Sequence, residues 1–346
     1  MKIDDLFKIA VEKEASDLHL IVGMPPVLRI DGVLNPIKNQ GKISNKAAQE
    51  LIFPILTEKQ KTTFENEKEL DLSYEIASGH RFRVNLHWEK NNVGMVARVI
   101  SSKIPSMEDI VMPEIAYKLL EMKQGLILVT GPTGCGKSTT LAAMINYINK
   151  NRSANIITLE DPIEFLFKPN KSIIKQRQLL TDMNSFQSAL IHVLRQDPNV
   201  IMVGEMRNLE TIAATITLAE TGHLVLATLH THNAAQTIDR IIDIFPSHQQ
   251  QQVRLQVSMT LNAVLSQQLI PKKGGGRVAT REIMLNIPAI SNLIRENKIA
   301  QIKTVIQTSA EEGMITMDQD LINLYNDGQI EKETAQGHMM NPELLN

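Results

Sequence analysis

The residues whose types and spacing most clearly indicate chemistry form a glycine-rich loop that ends in lysine and serine, Gly131–Ser138. An apolar strand-like run, Gly125–Thr130, precedes this loop, and a helical pattern follows it. In such loops the backbone N–H groups face the β- and γ-phosphates, the lysine adds positive charge and the serine ligates Mg²⁺. The pattern therefore predicts binding and hydrolysis of ATP with Mg²⁺. The residues expected to hold the nucleotide are Gly131, Pro132, Thr133, Gly134, Cys135, Gly136, Lys137, Ser138 and Thr139.

Cys135 is the only cysteine in the sequence. The loop needs a small residue here, so we expect the thiol to contribute little beyond its size and a mild sensitivity to oxidation. Thiolate catalysis is the alternative. A lone cysteine can form no disulfide within the chain and no cysteine cluster for a metal, and we therefore predict no zinc site.

Acidic residues follow a strand-like run at the edge where parallel sheets bind ligands. Glu160, Asp161 and Glu164 come directly after the run that ends at Leu159. Because hydrolysis of ATP needs a positioned water, a carboxylate of this segment is expected to polarise that water. The alternative is a solvated strand end with no role in catalysis.

Glu205 follows the strand-like run Val200–Val203 and resembles the acidic residue of a Walker B element. Glycine, Gly204, occupies the position at which many P-loop enzymes carry aspartate. Mg²⁺ is then expected to depend on Ser138, the phosphates and water, with Glu205 supporting the ion from outside its direct ligands.

His223 and His230 bracket a strand-like run, and their odd separation places them on opposite faces of a regular strand. They are therefore not predicted to share a metal ion. His230, at the carboxyl end of the run, could reach a γ-phosphate, although a lone histidine is more often a hydrogen-bonded core residue.

Arginines on predicted strands of the N-terminal region are a further possible source of positive charge, which P-loop motors commonly need on the γ-phosphate. Arg81 and Arg83 share one face of a strand, and Arg98 lies on the next strand. From the pattern alone, these side chains form a solvated sheet face.

The composition is typical of a globular protein, with 346 residues, 43% hydrophobic and 21% charged. A net charge of −2 and an aromatic content of 4% disfavour proteins that wrap duplex DNA or stack bases. The segment Met1–Leu6 is acidic and lacks the apolar core of a secretory signal, and the longest apolar runs are strand-sized. A cytosolic protein is the simplest prediction.

The pattern of elements changes along the chain. A first helix at Ile3–Glu14 and period-two strands, with turn signals such as Asp31-Gly32, predict an α+β module with an antiparallel sheet. A proline-containing linker follows, and beyond it alternating strands and helices predict an α/β fold with a parallel, doubly wound sheet. Amphipathic helices come last, before a polar tail, Gln336–Asn346, that is expected to fray.

Taken together, these motifs resemble the secretion ATPase superfamily and, within it, the type IV pilus retraction ATPase (PilT) family. The resemblance extends over about the first 320 residues. The segments that carry it are Ala15–Leu20, Gly131–Ser138, Ile157–Phe165, Val203–Arg207, Thr221–Thr231, Gly274–Ala279 and Gly313–Asp318.

The resemblance implies four parts of the chain: a PAS-like N-terminal domain at 1–100, a linker at 101–113, a RecA-like ATPase core at 114–286, and a C-terminal helical region and tail at 287–346. It also implies that N-terminal arginines complete the site, and Arg83 and Arg98 match that pattern best. This implication replaces the solvated-face interpretation of those two residues. The other implied site residues are the Walker A loop, Glu160, Asp161, Glu164, Gly204, Glu205 and the stretch His223–His230.

The resemblance further implies a homohexameric motor that uses ATP to retract type IV pili, removing pilin and supporting twitching motility. It would act at the cytoplasmic face of the inner-membrane pilus base, with an inner-membrane platform protein and the pilin machinery as partners. Membrane association would be peripheral, and no nucleic acid is expected.

Two departures separate this sequence from relatives. Pilus-assembly and type II secretion ATPases usually carry a Cys-x-x-Cys zinc module and a longer N-terminal region, and the absence of both favours the retraction class. The retraction signature Ala-Ile-Arg-Asn-Leu-Ile-Arg appears at Ala289–Arg295 with Ser291 in place of its first arginine. The alternatives are an accessory paralogue of the main retraction motor, a RecA-like nucleic-acid motor, and a nucleotide-sensing ring that turns over slowly.

Overall fold

The computed structural model describes residues 2–30, 32–38, 40–100 and 103–345. The chain divides into two compact units, Met1–Lys103 and Ile104–Asn346. Within the described residues, no helix combines the length and apolar character needed to cross a membrane.

The first unit is built on an antiparallel sheet, as the alternating pattern predicted. Its elements are α1 (Ile3–Glu12), β1 (Asp17–Leu20), β2 (Val27–Ile30), β3 (Val33–Pro36), α2 (Asn45–Ile52), α3 (Glu58–Glu67), β4 (Glu69–Glu75), β5 (Arg81–Glu89) and β6 (Asn92–Ile100). The strand order is β3-β2-β1-β6-β5-β4. Of the predicted turn Asp31-Gly32, Asp31 lies outside the described residues, and Gly32 has a φ of 80°, which glycine adopts without strain.

One face of this sheet is apolar and covered by a helix. Phe82, Val84 and Leu86 alternate along β5 and are fully buried. The ring of Phe7 on α1 stacks on Phe82 with centroids 4.2 Å apart. The intervening residues of β5 point to the other face, so the arginines of this strand share the polar side of the sheet.

The second unit is a three-layer α/β fold, as predicted. Its strands are β7 (Gly125–Thr130), β8 (Asn155–Glu160), β9 (Ile173–Gln178), β10 (Val200–Val203), β11 (Leu224–Leu229), β12 (Leu261–Pro271) and β13 (Arg277–Leu285). Its helices are α4 (Glu114–Glu121), α5 (Lys137–Asn151), α6 (Phe186–Val193), α7 (Leu209–Glu220), α8 (Ala234–Asp243), α9 (Ser247–Thr260), α10 (Pro288–Arg295), α11 (Ile302–Thr308), α12 (Met317–Asn326) and α13 (Lys332–His338).

The seven strands of this unit lie in the order β13-β12-β7-β11-β10-β8-β9. All neighbours pair in parallel except β12 and β13, which form an antiparallel hairpin. Leu126 and Leu128 of β7 contribute to one core, and Ile127 and Val129 contribute to the core on the opposite face. Since the parallel strands end at one edge, the segments after β7, β8, β10 and β11 are brought together there.

The structure differs from the predicted linker at 101–113 over residues 104–113. Ser101 and Ser102 lie outside the described residues, but Met107 and Met112 are buried in the core that includes α4 and α5. The Arg281 guanidinium donates to the carbonyl oxygens of Val111 (3.0 Å) and Ile110 (2.8 Å). Residues 104–113 are therefore a packed part of the second unit.

The C-terminal tail was expected to fray, and this expectation is wrong for the described residues. The Asp318 carboxylate accepts hydrogen bonds from Met340 N (2.8 Å), Asn341 N (3.2 Å) and Asn341 Nδ2 (2.9 Å). Met339 and Leu345 are buried against α12 and its neighbours. The buried Asp318 carboxylate therefore fixes the backbone of this polar tail by hydrogen bonds to its N–H groups.

Candidate nucleotide site

The glycine-rich loop links β7 to α5, as the sequence predicted. Its first residue must be glycine, because a Cβ on Gly131 would lie 2.2 Å from the carbonyl oxygen of Gln267, and its φ is 142°. Gly136 caps the helix with a φ of 87°, and α5 begins at Lys137. The loop therefore runs directly into a helix N-terminus, whose free N–H groups and partial positive charge suit an anion.

The Lys137 ammonium is turned back onto its own loop. Its Nζ donates to the carbonyl oxygens of Gly131 (2.7 Å) and Pro132 (3.1 Å) and lies 3.3 Å from Nδ1 of His230. Burial lowers the pKa of Lys137, and the nearby Cys135, Glu205 and Glu164 oppose that shift. The site therefore holds a largely buried cation that a phosphate can take as a partner.

Polar contacts continue from Lys137 to the acidic segments after β10 and β8. An ammonium can only donate, so Nδ1 of His230 accepts and its Nε2 carries the hydrogen that faces Glu205 Oε1 at 2.9 Å. The other Glu205 oxygen lies 3.0 Å from Arg207, which also lies 3.8 Å from Asp161 Oδ2. Polar and charged groups from the segments after four strands thus form one connected set.

Gly204 shows why this chain lacks the usual aspartate before Glu205. Its backbone N donates to the carbonyl oxygen of Leu159 on β8 at 2.8 Å. A Cβ on Gly204 would lie 3.2 Å from that oxygen and 3.4 Å from the Cα of Glu160. The close approach of the two segments leaves little room for a side chain, and the carboxylate is supplied one residue later.

The predicted carboxylates after β8 differ in environment. Glu160 is 6% exposed and accepts hydrogen bonds from Thr158 Oγ1 (2.6 Å), Gln176 Nε2 (3.1 Å) and the backbone N of Glu164 (3.4 Å). Burial raises the pKa of Glu160. Asp161 and Glu164 are exposed to solvent. Glu160 therefore fixes the backbone of the segment by its buried hydrogen bonds, whereas the other two carboxylates can reach water.

The remaining loop residues also differ in exposure. Thr133 and Gly134 are exposed, and Pro132, Ser138 and Thr139 are half-buried. Cys135 is buried, and burial raises the pKa of its thiol. A thiol held in its neutral form is a poor nucleophile, so the geometry favours the interpretation of Cys135 as a small packing residue.

The two predicted arginines lie in the first unit, whereas the other predicted site residues lie in the second. Arg83 on β5 is paired in register with Arg98 on β6. Arg98 Nε donates to Asp17 Oδ1 at 2.9 Å, yet its side chain remains 68% exposed. Both guanidinium groups are on the polar side of the antiparallel sheet.

The structure separates the two histidines that bracket β11. His223 precedes the strand, where its Nδ1 lies 3.1 Å from the carbonyl oxygen of Leu218 and 3.2 Å from Thr221 Oγ1. His230 follows the strand and joins the connected set described above. Of this pair, only His230 is placed beside the phosphate loop.

Two residues of the site, Arg207 and Gln267, were not among the predicted site residues. Arg207 stands two residues after Glu205, and its position in the motif Val203–Arg207 was the available signal. Gln267 lies on β12, a strand that the sequence analysis did not predict, and it bonds the loop through Cys135 O at 2.7 Å. No local pattern marks this glutamine, because its role depends on strand pairing.

Comparison with known proteins identifies the family to which this chain is similar. Residues 1–275 match the family model described as "Type II/IV secretion system protein". The type IV pilus retractation ATPase PilT of Pseudomonas aeruginosa is 46% identical over 343 residues, which is 99% of each chain. The type IV pilus ATPase PilU of the same organism is 41% identical over 98% of this chain and 88% of its own length.

A solved structure shows the same similarity in three dimensions. A crystal structure of the pilus retraction motor PilT with bound ADP superimposes with a TM-score of 0.94 and 44% identity, covering 99% of this chain and 98% of that one. The family predicted from the motifs is thereby confirmed. The chain belongs to the type II/IV secretion system protein family and, within it, to the PilT family.

Proposed function

We propose that this protein is a motor ATPase that hydrolyses ATP to power retraction of type IV pili. The observation that carries the proposal is the connected set in which His230 joins Lys137 of the phosphate loop to Glu205. Near-full-length similarity to the retractation ATPase PilT supports the biological role. Hydrolysis of this kind depends on positioning and charge, and the second unit supplies both at one sheet edge.

Each group has a proposed role in binding or proton handling. Lys137 exchanges the carbonyls of Gly131 and Pro132 for phosphate oxygens, and the N-terminus of α5 donates further hydrogen bonds. Ser138 is the proposed direct Mg²⁺ ligand, and Mg²⁺ would supply charge neutralisation for the phosphates. Glu205 already has His230 and Arg207 on its two oxygens, so its carboxylate fits a supporting position better than direct coordination.

The acidic segment after β8 is proposed to place the attacking water. Asp161 and Glu164 are exposed enough to reach water, and Glu160, which accepts the backbone N–H of Glu164, sets the shape of the segment. His230 would meet the γ-phosphate once Lys137 leaves its Nδ1. Arg83 and Arg98 are proposed to add positive charge to the nucleotide.

The wider setting is also a proposal. The domain assignment would be a PAS-like region at 1–100, a RecA-like core at 114–286 and a C-terminal helical region at 287–346. The assembly would be a homohexamer at the cytoplasmic face of the inner-membrane pilus base. Its partners would be an inner-membrane platform protein and the pilin machinery, with peripheral membrane contact and no nucleic acid.

The test of hydrolysis is the Lys137→Ala variant, compared with Lys150→Ala on the exposed end of the same helix. Loss of the ammonium should abolish phosphate release while the circular dichroism spectrum and the unfolding midpoint remain near wild type. The Lys150→Ala control should retain full turnover. Undiminished hydrolysis in Lys137→Ala would refute the proposed site.

The biological role is tested by deleting the gene and examining the cells. Excess surface pili with loss of twitching is the result expected for a retraction motor. Loss of pili would contradict the proposal and indicate assembly instead.

A second candidate, an accessory paralogue of the main retraction motor, is favoured by Ser291. The side chain of Ser291 donates to the carbonyl oxygen of Ser258 on α9 at 2.9 Å, where the retraction signature has arginine. Similarity to PilU is also extensive. If the accessory role is correct, deletion should weaken twitching without abolishing it, because the main motor remains.

A further inference from the structure

Gln267 holds the phosphate loop from the neighbouring strand. Strand β12 pairs with β7 so that Ser266 lies beside Thr130, the last residue before the loop, and Gln267 follows. Gln267 is buried, with only 1% of its surface exposed. Its Nε2 donates to Cys135 O at 2.7 Å, and its Oε1 accepts from Thr140 Oγ1 at 2.9 Å. One side chain therefore bonds both the loop and the first turn of α5.

Only one orientation of this amide satisfies both partners. A backbone carbonyl can only accept, so the NH₂ group must face Cys135. The hydroxyl of Thr140 then donates to the remaining oxygen. Because both ends of the amide are used in a buried position, rotation of Gln267 would leave the Cys135 carbonyl facing another acceptor, which is costly.

The bond to Cys135 bears on the nucleotide because of peptide geometry. The peptide between Cys135 and Gly136 is planar and trans, so its C=O and N–H point in opposite directions. A carbonyl held toward β12 turns the Gly136 N–H away from β12. Phosphate loops work by directing such N–H groups at the phosphates.

We propose that Gln267 is a positioning residue that orients the Cys135–Gly136 peptide for a nucleoside di- or triphosphate. This inference rests on the proposed nucleotide-binding function. It extends that function to a residue outside the loop, on a strand that β7 and β11 separate from β10 and its acidic segment. The backbone of Gln267 takes part as well, since its carbonyl oxygen is the atom that excludes any side chain at Gly131.

The test compares Gln267→Met with Gln268→Met. Both changes keep the side-chain length, but the adjacent Gln268 is on the opposite face of β12 and is only half-buried. ADP affinity is measured by calorimetry, KM and kcat by phosphate release, and the unfolding midpoint without nucleotide. Gln267→Met should weaken ADP binding about tenfold and raise KM more than it lowers kcat, because hydrogen bonds of this kind are worth about a factor of ten.

A second variant separates positioning from packing. In Gln267→Glu an ionised carboxylate would face the Cys135 carbonyl with no hydrogen to donate, whereas the protonated acid can donate again. ADP affinity of this variant should therefore recover as the pH is lowered, relative to wild type and to Gln268→Glu. Unchanged ADP affinity in Gln267→Met, or equal losses in Gln267→Met and Gln268→Met, would overturn the inference. Failure of the wild-type protein to bind ADP would overturn the proposed function instead.

Discussion

Replacing Gly204 with alanine or aspartate tests whether the missing Walker B aspartate is excluded by packing. Leu159 is on β8, which lies between β10 and β9, so its carbonyl oxygen cannot retreat without disturbing the sheet. A Cβ would lie 3.4 Å from the Cα of Glu160, which is ordinary contact, but only 3.2 Å from that oxygen, which must shift by a few tenths of an ångström. Overpacking of this kind costs about 1–3 kcal/mol.

The expected effect is a lower unfolding midpoint. For a unit of this size a loss of 1 kcal/mol lowers the midpoint by roughly 2–4 °C, so Gly204→Ala should unfold several degrees early. Gly204→Asp should lose more, because its carboxylate would be placed beside a backbone carbonyl and the buried Glu160. Restoring the common aspartate should therefore lower turnover rather than raise it.

The assay is thermal unfolding with and without ADP, together with phosphate release. Gly337→Ala serves as the control, since a Cβ there meets nothing within 4 Å and the residue lies in α13. That variant should unfold at or above the wild-type midpoint. A Gly204→Ala midpoint equal to that of the wild type would refute the packing argument, as would higher turnover in Gly204→Asp.

Four further substitutions test three other features. Burial raises the pKa of Glu160 above its usual 4.5, so the free energy of unfolding should decline as the pH rises from the pKa of the unfolded state through that of the folded state. In urea titrations Glu160→Gln should flatten this decline. The same pH dependence in the variant and the wild type would contradict the raised pKa. Asp318→Ala should cost about 2 kcal/mol and speed hydrogen exchange at Met340 and its neighbours, because a charged acceptor is lost; unchanged exchange would show that the tail is held otherwise. Arg83→Ala and Arg98→Ala should each lower phosphate release while largely sparing ADP affinity, and normal turnover in both would return them to the role of solvated surface residues.

Much of the second unit could be predicted because its strands are continuous apolar runs. The bounds of β7 and β10 match the predicted runs, and the loop after β7 was recognisable from glycine spacing alone. Fully buried parallel strands need no polar residues, so composition and position agree there. The carboxylates after β8 and β10 could be located for the same reason.

The strands β9 and β12 were not predicted, because the residue types in them are set by contacts with segments that are distant in the sequence. Ser266 and Gln267 are buried on β12, where an apolar pattern would be expected, and they are there to bond Thr130 and the loop. Strand β9 is an edge strand whose outward side chains are polar or exposed. Long-range pairing sets both patterns.

For the N-terminal arginines, the sequence pattern predicted the position correctly but did not determine the function. Period two correctly placed Arg83 on the polar side of its strand, but that placement is equally compatible with a solvated face and with a nucleotide contact. The family resemblance alone favours the nucleotide contact, and the Arg83→Ala and Arg98→Ala variants test it.

The bonds that Lys137 makes to Gly131 and Pro132 have a consequence for nucleotide binding. A phosphate that takes this ammonium as a partner must displace two carbonyl acceptors within the same loop. Because incoming nucleotide must break those bonds, its binding free energy is less favourable by the free energy that they contribute. A phosphate therefore competes with these carbonyls for the ammonium, and its net gain there is smaller than an unpaired cation would provide.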